Sequence, residues 1–334
     1  MKRLIDTKIS ILDLVPVRQD QGPAQSLHNS LDLARHGEQW GYNRFWVAEH
    51  HNMDGIASSA TSVLLGYLAG GTQRIRVGSG GIMLPNHAPL VIAEQFGTLE
   101  SLYPGRIDLG LGRAPGSDQM TARALRRERS GSADDFPDDV LELINYLGPR
   151  TPEQKVIAVP GTGTQVPIWL LGSSLFSAQL AGMYGLPYAF ASHFAPRYMH
   201  EAIRVYRAHF KPSAVLDKPY VMLGIPMVAA DTDEQADYLA TSVYRRILNL
   251  IRGESLMQQP PVDSMNGMWL PHEKDAVSSF LGLAMIGGPE KIRARLDVLL
   301  EQTGADELIF TCDLYEHADR LRSYELLANL VNQA

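Results

Sequence analysis

The stretch RFWVAEHHNMDGIASSATSVLLGYLAGGTQRIRVGSGGIML (44–84) decides the fold. It opens with RFWVAE (44–49), a short run of aromatic and β-branched residues of the kind that forms a buried strand. A helix-period segment follows, ATSVLLGYLAGGT (60–72), which places Ala60, Val63, Leu64, Tyr67 and Leu68 on one face. The stretch closes on a second strand, IRVGSGGIML (75–84). A strand, a helix and a second strand in this order predict a parallel pair joined by a crossover helix.

The same alternation extends over the whole chain. Strands are expected at ISILDL (9–14), RIDLGLG (106–112), PIWLLG (167–172), PYAFAS (187–192), VMLGIPMVAA (221–230) and DELIFTC (306–312), which with the first two makes eight. SLHNSLDLARHGEQWGY (26–42) reads as a helix buried along Leu27, Leu31 and Ala34 and stopped at Gly41. KIRARLDVLLEQTGADE (291–307) buries Ile292, Leu296, Leu299, Leu300 and Thr303, with Gly304 past its end. ADRLRSYELLANLV (318–331) closes the chain on Leu321, Tyr324, Leu327 and Val331. Eight strands separated by helices predict an α/β protein of the (β/α)8 TIM barrel type. A doubly wound open sheet is the alternative. A single domain over 1–334 is expected, with insertions around 115–165 and 231–283.

Composition agrees. A chain of 334 residues with 45% hydrophobic and 20% charged residues can bury a large core. A net charge of −7 speaks against a broad nucleic-acid or anionic-membrane surface. MKRLIDTKIS (1–10) lacks the apolar stretch of a signal peptide, and no apolar run approaches membrane-span length. A soluble, cytoplasmic protein is expected. Cys312 is the sole cysteine, so no internal disulfide is possible.

In a barrel the chemistry sits at the carboxyl ends of the strands. Polar and glycine residues gather there on five consecutive strands: Glu49-His50-His51, Gly78-Ser79-Gly80-Gly81, Gly110 to Arg113, Gly172-Ser173-Ser174, and Ser192-His193. His50 and His51 are adjacent and point to opposite sides of a strand, so they do not suit one metal ion, and no metal is expected. An imidazole at His50 suits proton transfer, whereas Glu49 could equally tie neighbouring loops together. The glycines of GSGG (78–81) leave either a flat wall for an aromatic ring system or a β-bulge. LLGSSLFSAQLAGMYG (170–185) reads as a strand, a turn and a helix start. Its free amides, with Ser173, Ser174 and Ser177, could cradle a phosphate, or serine could simply cap the helix. Arg113 is a second phosphate ligand or a rim ion pair. DLGLGRAPG (108–116) is a weak dinucleotide fingerprint, since no second strand ending in an acidic residue follows.

These segments carry a resemblance. AEHHN (48–52), GSGGIMLPNHAPLVIAEQFGTLESLYPGRIDLGLGRAPG (78–116) and GLPYAFASHF (185–194) resemble the bacterial luciferase-like flavin monooxygenases, in their non-luminescent bacterial branch. The resemblance implies a barrel that binds FMN, or in a sister branch the deazaflavin F420, with a non-prolyl cis peptide at Gly80–Gly81. It makes Glu49, His50 and His51 the family's Glu-His-His element, with His50 and Glu49 catalytic. It assigns the cofactor to Ser79, Gly80, Gly81, Arg113, Gly172, Ser173, Ser174 and Ser177. His51, His193, Phe194 and the 231–283 insertion are then candidates for the substrate pocket. Gly112 stands where luminescent members carry a reactive cysteine, which speaks against light emission. The implied reaction uses reduced FMN from a separate NAD(P)H-dependent flavin reductase, O2, and a small organic substrate that takes one oxygen atom. A homodimer is also implied. An F420-dependent hydride transfer, a metal-dependent hydrolase and a non-catalytic flavin-binding protein are the competing readings.

Overall fold

The computed structural model describes residues 3–114, 119–125, 135–192 and 196–332. Its elements follow in chain order: β1 (Lys8–Asp13), α1 (Pro23–Gln39), β2 (Arg44–Val47), α2 (Thr61–Gly71), β3 (Arg76–Met83), α3 (Pro89–Leu102), β4 (Ile107–Gly112), α4 (Gln119–Leu125), α5 (Phe136–Leu147), β5 (Ile168–Gly172), α6 (Leu175–Tyr184), β6 (Tyr188–Phe190), α7 (Met199–His209), β7 (Val221–Ala229), α8 (Asp233–Arg252), α9 (Pro271–Phe280), β8 (Met285–Gly287), α10 (Pro289–Thr303), β9 (Glu307–Thr311) and α11 (His317–Asn332). Strands β1 to β7 pair in sequence and all in parallel, and β9 joins β7 to β1, so eight strands close a (β/α)8 barrel. Among the described residues no helix is long and apolar enough to cross a membrane.

All eight expected strands are present. The ninth, β8, pairs only with the outer end of β7, from Met227↔Met285 to Ala229↔Gly287. It widens the rim without entering the barrel. The 231–283 insertion is largely helical, formed by the 20-residue α8 and by α9. Thr232 caps α8 by accepting from the Gln235 amide at 3.2 Å.

Leu31 and Ala34 of α1 are buried as expected, as are Ile292, Leu296, Leu299, Leu300 and Thr303 of α10, which ends at Gly304 with φ +57°. The face expected for α2 is corrected. Thr61, Leu64, Leu65, Leu68 and Ala69 are buried, while Val63 is 75% and Tyr67 42% exposed. TSVLLGYLAGG is apolar nearly all round, so hydropathy alone does not fix which stripe faces the sheet.

The barrel interior is layered. At its amino-terminal floor lies a buried ion network. Asp108 Oδ2 accepts from Arg44 Nη1 at 2.6 Å, and its Oδ1 from Arg76 Nη2 at 2.6 Å. Trp46 Nε1 adds a 3.2 Å bond to Oδ2. Glu307 accepts from Arg44 Nε at 3.0 Å, Asn43 Nδ2 at 2.9 Å and Tyr220 Oη at 2.8 Å. Burial works against the Arg44 charge, but the two carboxylates outweigh it and raise the guanidinium above its ordinary pKa. Above the ions sits an apolar layer of Leu12, Trp46, Trp169, Met222 and Ile309. Trp46 meets Trp169 edge to face at 5.2 Å, and the Arg44 guanidinium lies 4.6 Å from the Trp169 ring centre. This layer is the platform for the opposite, carboxyl-terminal rim.

Candidate functional site

β2 ends at Val47, and the next residues alternate in direction. Glu49 turns toward β3 and is 1% exposed. One of its oxygens accepts from both His51 Nε2 and His87 Nε2, each at 2.8 Å, and the other from the Met83 amide at 3.2 Å. Burial opposes ionisation, but the bonds from His87, from His51 and from the Met83 amide outweigh it and hold the carboxyl below its ordinary value. Glu49 is therefore an anionic clasp between the ends of β2 and β3. His87, which sequence reasoning did not single out, completes it. His51 is bound to this clasp and does not line the cavity described below.

The sign of the Glu49 shift gives a pH prediction. The stabilisation from a depressed carboxyl is fully present above its ordinary value of 4.5 and is lost as pH falls through the lower folded value. Glu49→Gln is expected to cost about 2–3 kcal/mol at neutral pH, since charge-assisted hydrogen bonds are broken. Urea unfolding should show the gap from the parent closing only below that range; a pH-independent gap would refute the clasp.

His50 points the other way, half-buried, into a cavity of about 190 Å³. The cavity lies between α8, the end of α9 and the outer ends of β1, β2, β7 and β9. The 231–283 insertion supplies much of its wall.

β3 advances three residues while β4 advances two: Ser79 pairs with Leu109, but Ile82 pairs with Leu111. The extra residue is a bulge, and the Gly80–Gly81 peptide within it is cis. Of the two readings of GSGG, the structure shows the bulge, with no side chain on Gly80 or Gly81 within it. Ser79 locks it to β4, donating to the Gly110 carbonyl at 2.9 Å and accepting from the Gly110 amide at 3.0 Å. A Cβ at Gly81 would lie 2.1 Å from Leu171 Cδ1 and 2.7 Å from the Gly110 carbonyl oxygen. Leu171 can move, but that carbonyl cannot without shifting β4. Gly81→Ala is expected to destabilise the fold by about 1–3 kcal/mol, read as a lowered urea midpoint; an unchanged midpoint would show that the bulge is looser than this packing implies.

Leu171, from β5, reaches across Gly110 to Gly81 and so sets the turn of Gly172, Ser173 and Ser174 beside the bulge. Gly172, Ser173 and Ser174 are half-buried, and Ser174 stands at the N-cap of α6 without a side-chain capping bond. The first amides of α6 are thus left to other acceptors. Ser177 is buried; its hydroxyl donates to the Ser174 carbonyl at 3.1 Å, and a Cβ at Gly172 would lie 2.2 Å from it. It braces the turn from behind. Arg113, half-buried after β4, lies with its guanidinium 4.3 Å from the Phe176 ring centre in the first turn of α6. The glycine bulge, the turn of Gly172, Ser173 and Ser174, and Arg113 therefore share one sector of the rim. His193 and Phe194 lie outside the described residues. Among the described residues no group of three or more His, Cys, Asp or Glu side chains could hold a metal ion.

The sequence profile of the luciferase-like monooxygenases matches residues 7–307. A luciferase-like monooxygenase of Escherichia coli (strain K12) is 53% identical over 317 residues, covering 95% of each chain. Among solved structures, apo-MsnO8 superposes with a TM-score of 0.87 at 33% identity, over 98% of this chain and 99% of that one. The oxygenating constituent of 3,6-diketocamphane monooxygenase from Pseudomonas putida, a type II Baeyer-Villiger monooxygenase in complex with FMN, shares the fold at a TM-score of 0.73 and 17% identity, over 98% of both chains. With sequence and fold in agreement over nearly its whole length, the chain belongs to the luciferase-like monooxygenase family.

Proposed function

We propose that the carboxyl-terminal rim binds reduced FMN and uses it, with O2, to place one oxygen atom on a small organic substrate. The observation that carries this reading is the placement, in one sector, of the bare backbone at Gly80–Gly81 and the uncapped turn at Ser173–Ser174. A planar ring suits the first and an anionic tail the second. These groups fit FMN: Gly80, Gly81 and Ser79 would support the ring system, while Gly172, Ser173, Ser174 and Arg113 would hold the phosphate, with Ser177 as brace. When bound, the reduced flavin supplies the electrons that activate O2. His50, between this sector and the cavity, holds or moves the proton that the reaction requires. Glu49 is its neighbour in the clasp, fixing the backbone from which His50 projects. The apolar cavity keeps water from the reacting atoms.

A separate NAD(P)H-dependent reductase in the same cytoplasmic compartment would deliver the reduced flavin. The exposure of Val63 and Tyr67 on α2 and of Leu102, 63% exposed, on the neighbouring α3 supports a homodimer.

Anaerobic protein charged with reduced FMN and mixed with O2 in a stopped-flow instrument tests the reading. Bound flavin is expected to reoxidise far more slowly than free flavin. Reoxidation at the free rate would overturn it, and tight binding of F420 in place of FMN would redirect it to hydride transfer.

A further inference from the structure

The geometry points to the 190 Å³ cavity beside His50 as the organic-substrate pocket, built for a neutral, largely apolar molecule about the size of a substituted benzene with one hydrogen-bond donor. This deepens the flavin reading and rests on it for the identity of the reaction, though not for the existence of the pocket.

Size is the first argument. A cavity of about 150 Å³ lined by aliphatic and aromatic side chains accommodates benzene, so 190 Å³ takes a molecule only slightly larger. Within the cavity itself, long chains and fused ring systems do not fit without rearrangement. Rearrangement is restrained, because the roof is knitted from three loops. Val17 donates its amide to the Gly55 carbonyl at 3.0 Å, and Gln258 donates to the Val17 carbonyl at 2.8 Å. Leu256 donates its amide to Asp54 Oδ1 at 2.9 Å, and a Cβ at Gly55 would lie 2.1 Å from the Leu256 carbonyl oxygen. The pocket is preformed.

Polarity is the second argument. Met227, Val243, Ile247, Phe280 and Ile286 make most of the wall apolar. Among the described residues, the oppositely charged Arg246 and Asp313 line it, and these pair with each other at 2.5 Å, Arg246 being 10% exposed. The pair is neutral as a unit. An anionic or cationic ligand would have to break it or be buried uncompensated, each costly in such surroundings. Asp313 Oδ1 is buried and accepts no hydrogen bond among the described residues, while Oδ2 is held by Arg246. A buried acceptor at the edge of an apolar pocket selects a ligand that brings one O–H or N–H to it. The ligand's apolar body then lies along the wall that His50 shares.

Access is the third. A shallower, open hollow of about 690 Å³, lined by Asn52, Asp54 and Gly253 to Leu256, adjoins the cavity, and Met53, Leu250 and Leu256 line both. These three apolar side chains form the threshold between solvent and pocket, away from the flavin sector.

The test uses the full chain without flavin and three probes of similar size: benzyl alcohol, toluene and benzoate. Methionine methyl groups labelled with ¹³C report directly, since Met53 and Met227 line the cavity while Met222 sits in the barrel interior. Benzyl alcohol is expected to bind saturably and move the Met53 and Met227 signals. Toluene, without a donor, and benzoate, with a charge, should each bind at least about tenfold more weakly, the equivalent of one hydrogen bond. Val243→Phe should abolish benzyl alcohol binding while leaving reduced-FMN binding intact. Absence of saturable binding, unmoved Met53 and Met227 signals, or benzoate binding as tightly as benzyl alcohol would each overturn the proposal. The methyl readout on the unsubstituted chain decides even where Val243→Phe does not fold. If benzyl alcohol binds as described but reduced FMN does not, the pocket stands and the flavin reading falls.

Discussion

Replacing His50 by alanine is expected to slow substrate oxygenation about 10²–10⁴-fold, the range that a positioned acid–base group contributes. The reason lies in the alternation at the end of β2. Glu49 and His51 share one side and are bonded to each other, while His50 alone faces the cavity. Its removal deletes the imidazole that, among the described residues, lines that wall, without touching the clasp or the barrel floor. Single-turnover oxygen incorporation should therefore collapse while the urea midpoint and the affinity for reduced FMN change little. His50→Gln, which keeps the volume and a hydrogen bond but cannot titrate, should be nearly as slow. An alanine variant with parental turnover would remove His50 from the reaction.

The second large effect concerns stability. Asp108→Asn is expected to cost about 3–5 kcal/mol, the loss seen when one partner of a buried ion network is neutralised. Asp108 is fully buried and receives Arg44, Arg76 and Trp46 together. The amide leaves Arg44 with Glu307 alone and presents an N–H toward cationic donors. Since Trp46 lies directly above, the platform under the rim loosens as well. Urea unfolding measures the loss. A change under about 1 kcal/mol would show that the network contributes no more than an exposed pair does.

The barrel was legible because each strand is a short apolar run bounded by helix-period segments, and all eight expected strands form. β8 was not: its three residues, Met285–Gly287, follow Leu281–Ala284 without a break in hydropathy, and it exists only because the outer end of β7 offers a free edge. The α2 face was misread for a related reason, since an almost uniformly apolar helix carries no phase. At the rim, the sequence pattern set the glycines and serines at the carboxyl ends of β3, β4 and β5, where the structure also has them. His87 was hidden because its role depends on where the β3 bulge delivers it, 38 residues from Glu49. The Arg44–Asp108–Glu307 network was hidden likewise: charged residues at strand starts look exposed until the closed barrel stacks them. Local pattern yields elements, and contacts between distant elements yield the clasp and the floor.

The central claim is that backbone at Gly80–Gly81 and amides at Ser173–Ser174 together hold reduced FMN. An anaerobic titration of the protein with reduced FMN, followed by ³¹P NMR, tests it most directly. One phosphate per chain should be captured with a shifted resonance, and Ser174→Asp, which sets a carboxylate beside the phosphate, should abolish that capture without altering the urea midpoint. Undiminished capture by Ser174→Asp, or no shifted resonance at all, would contradict it.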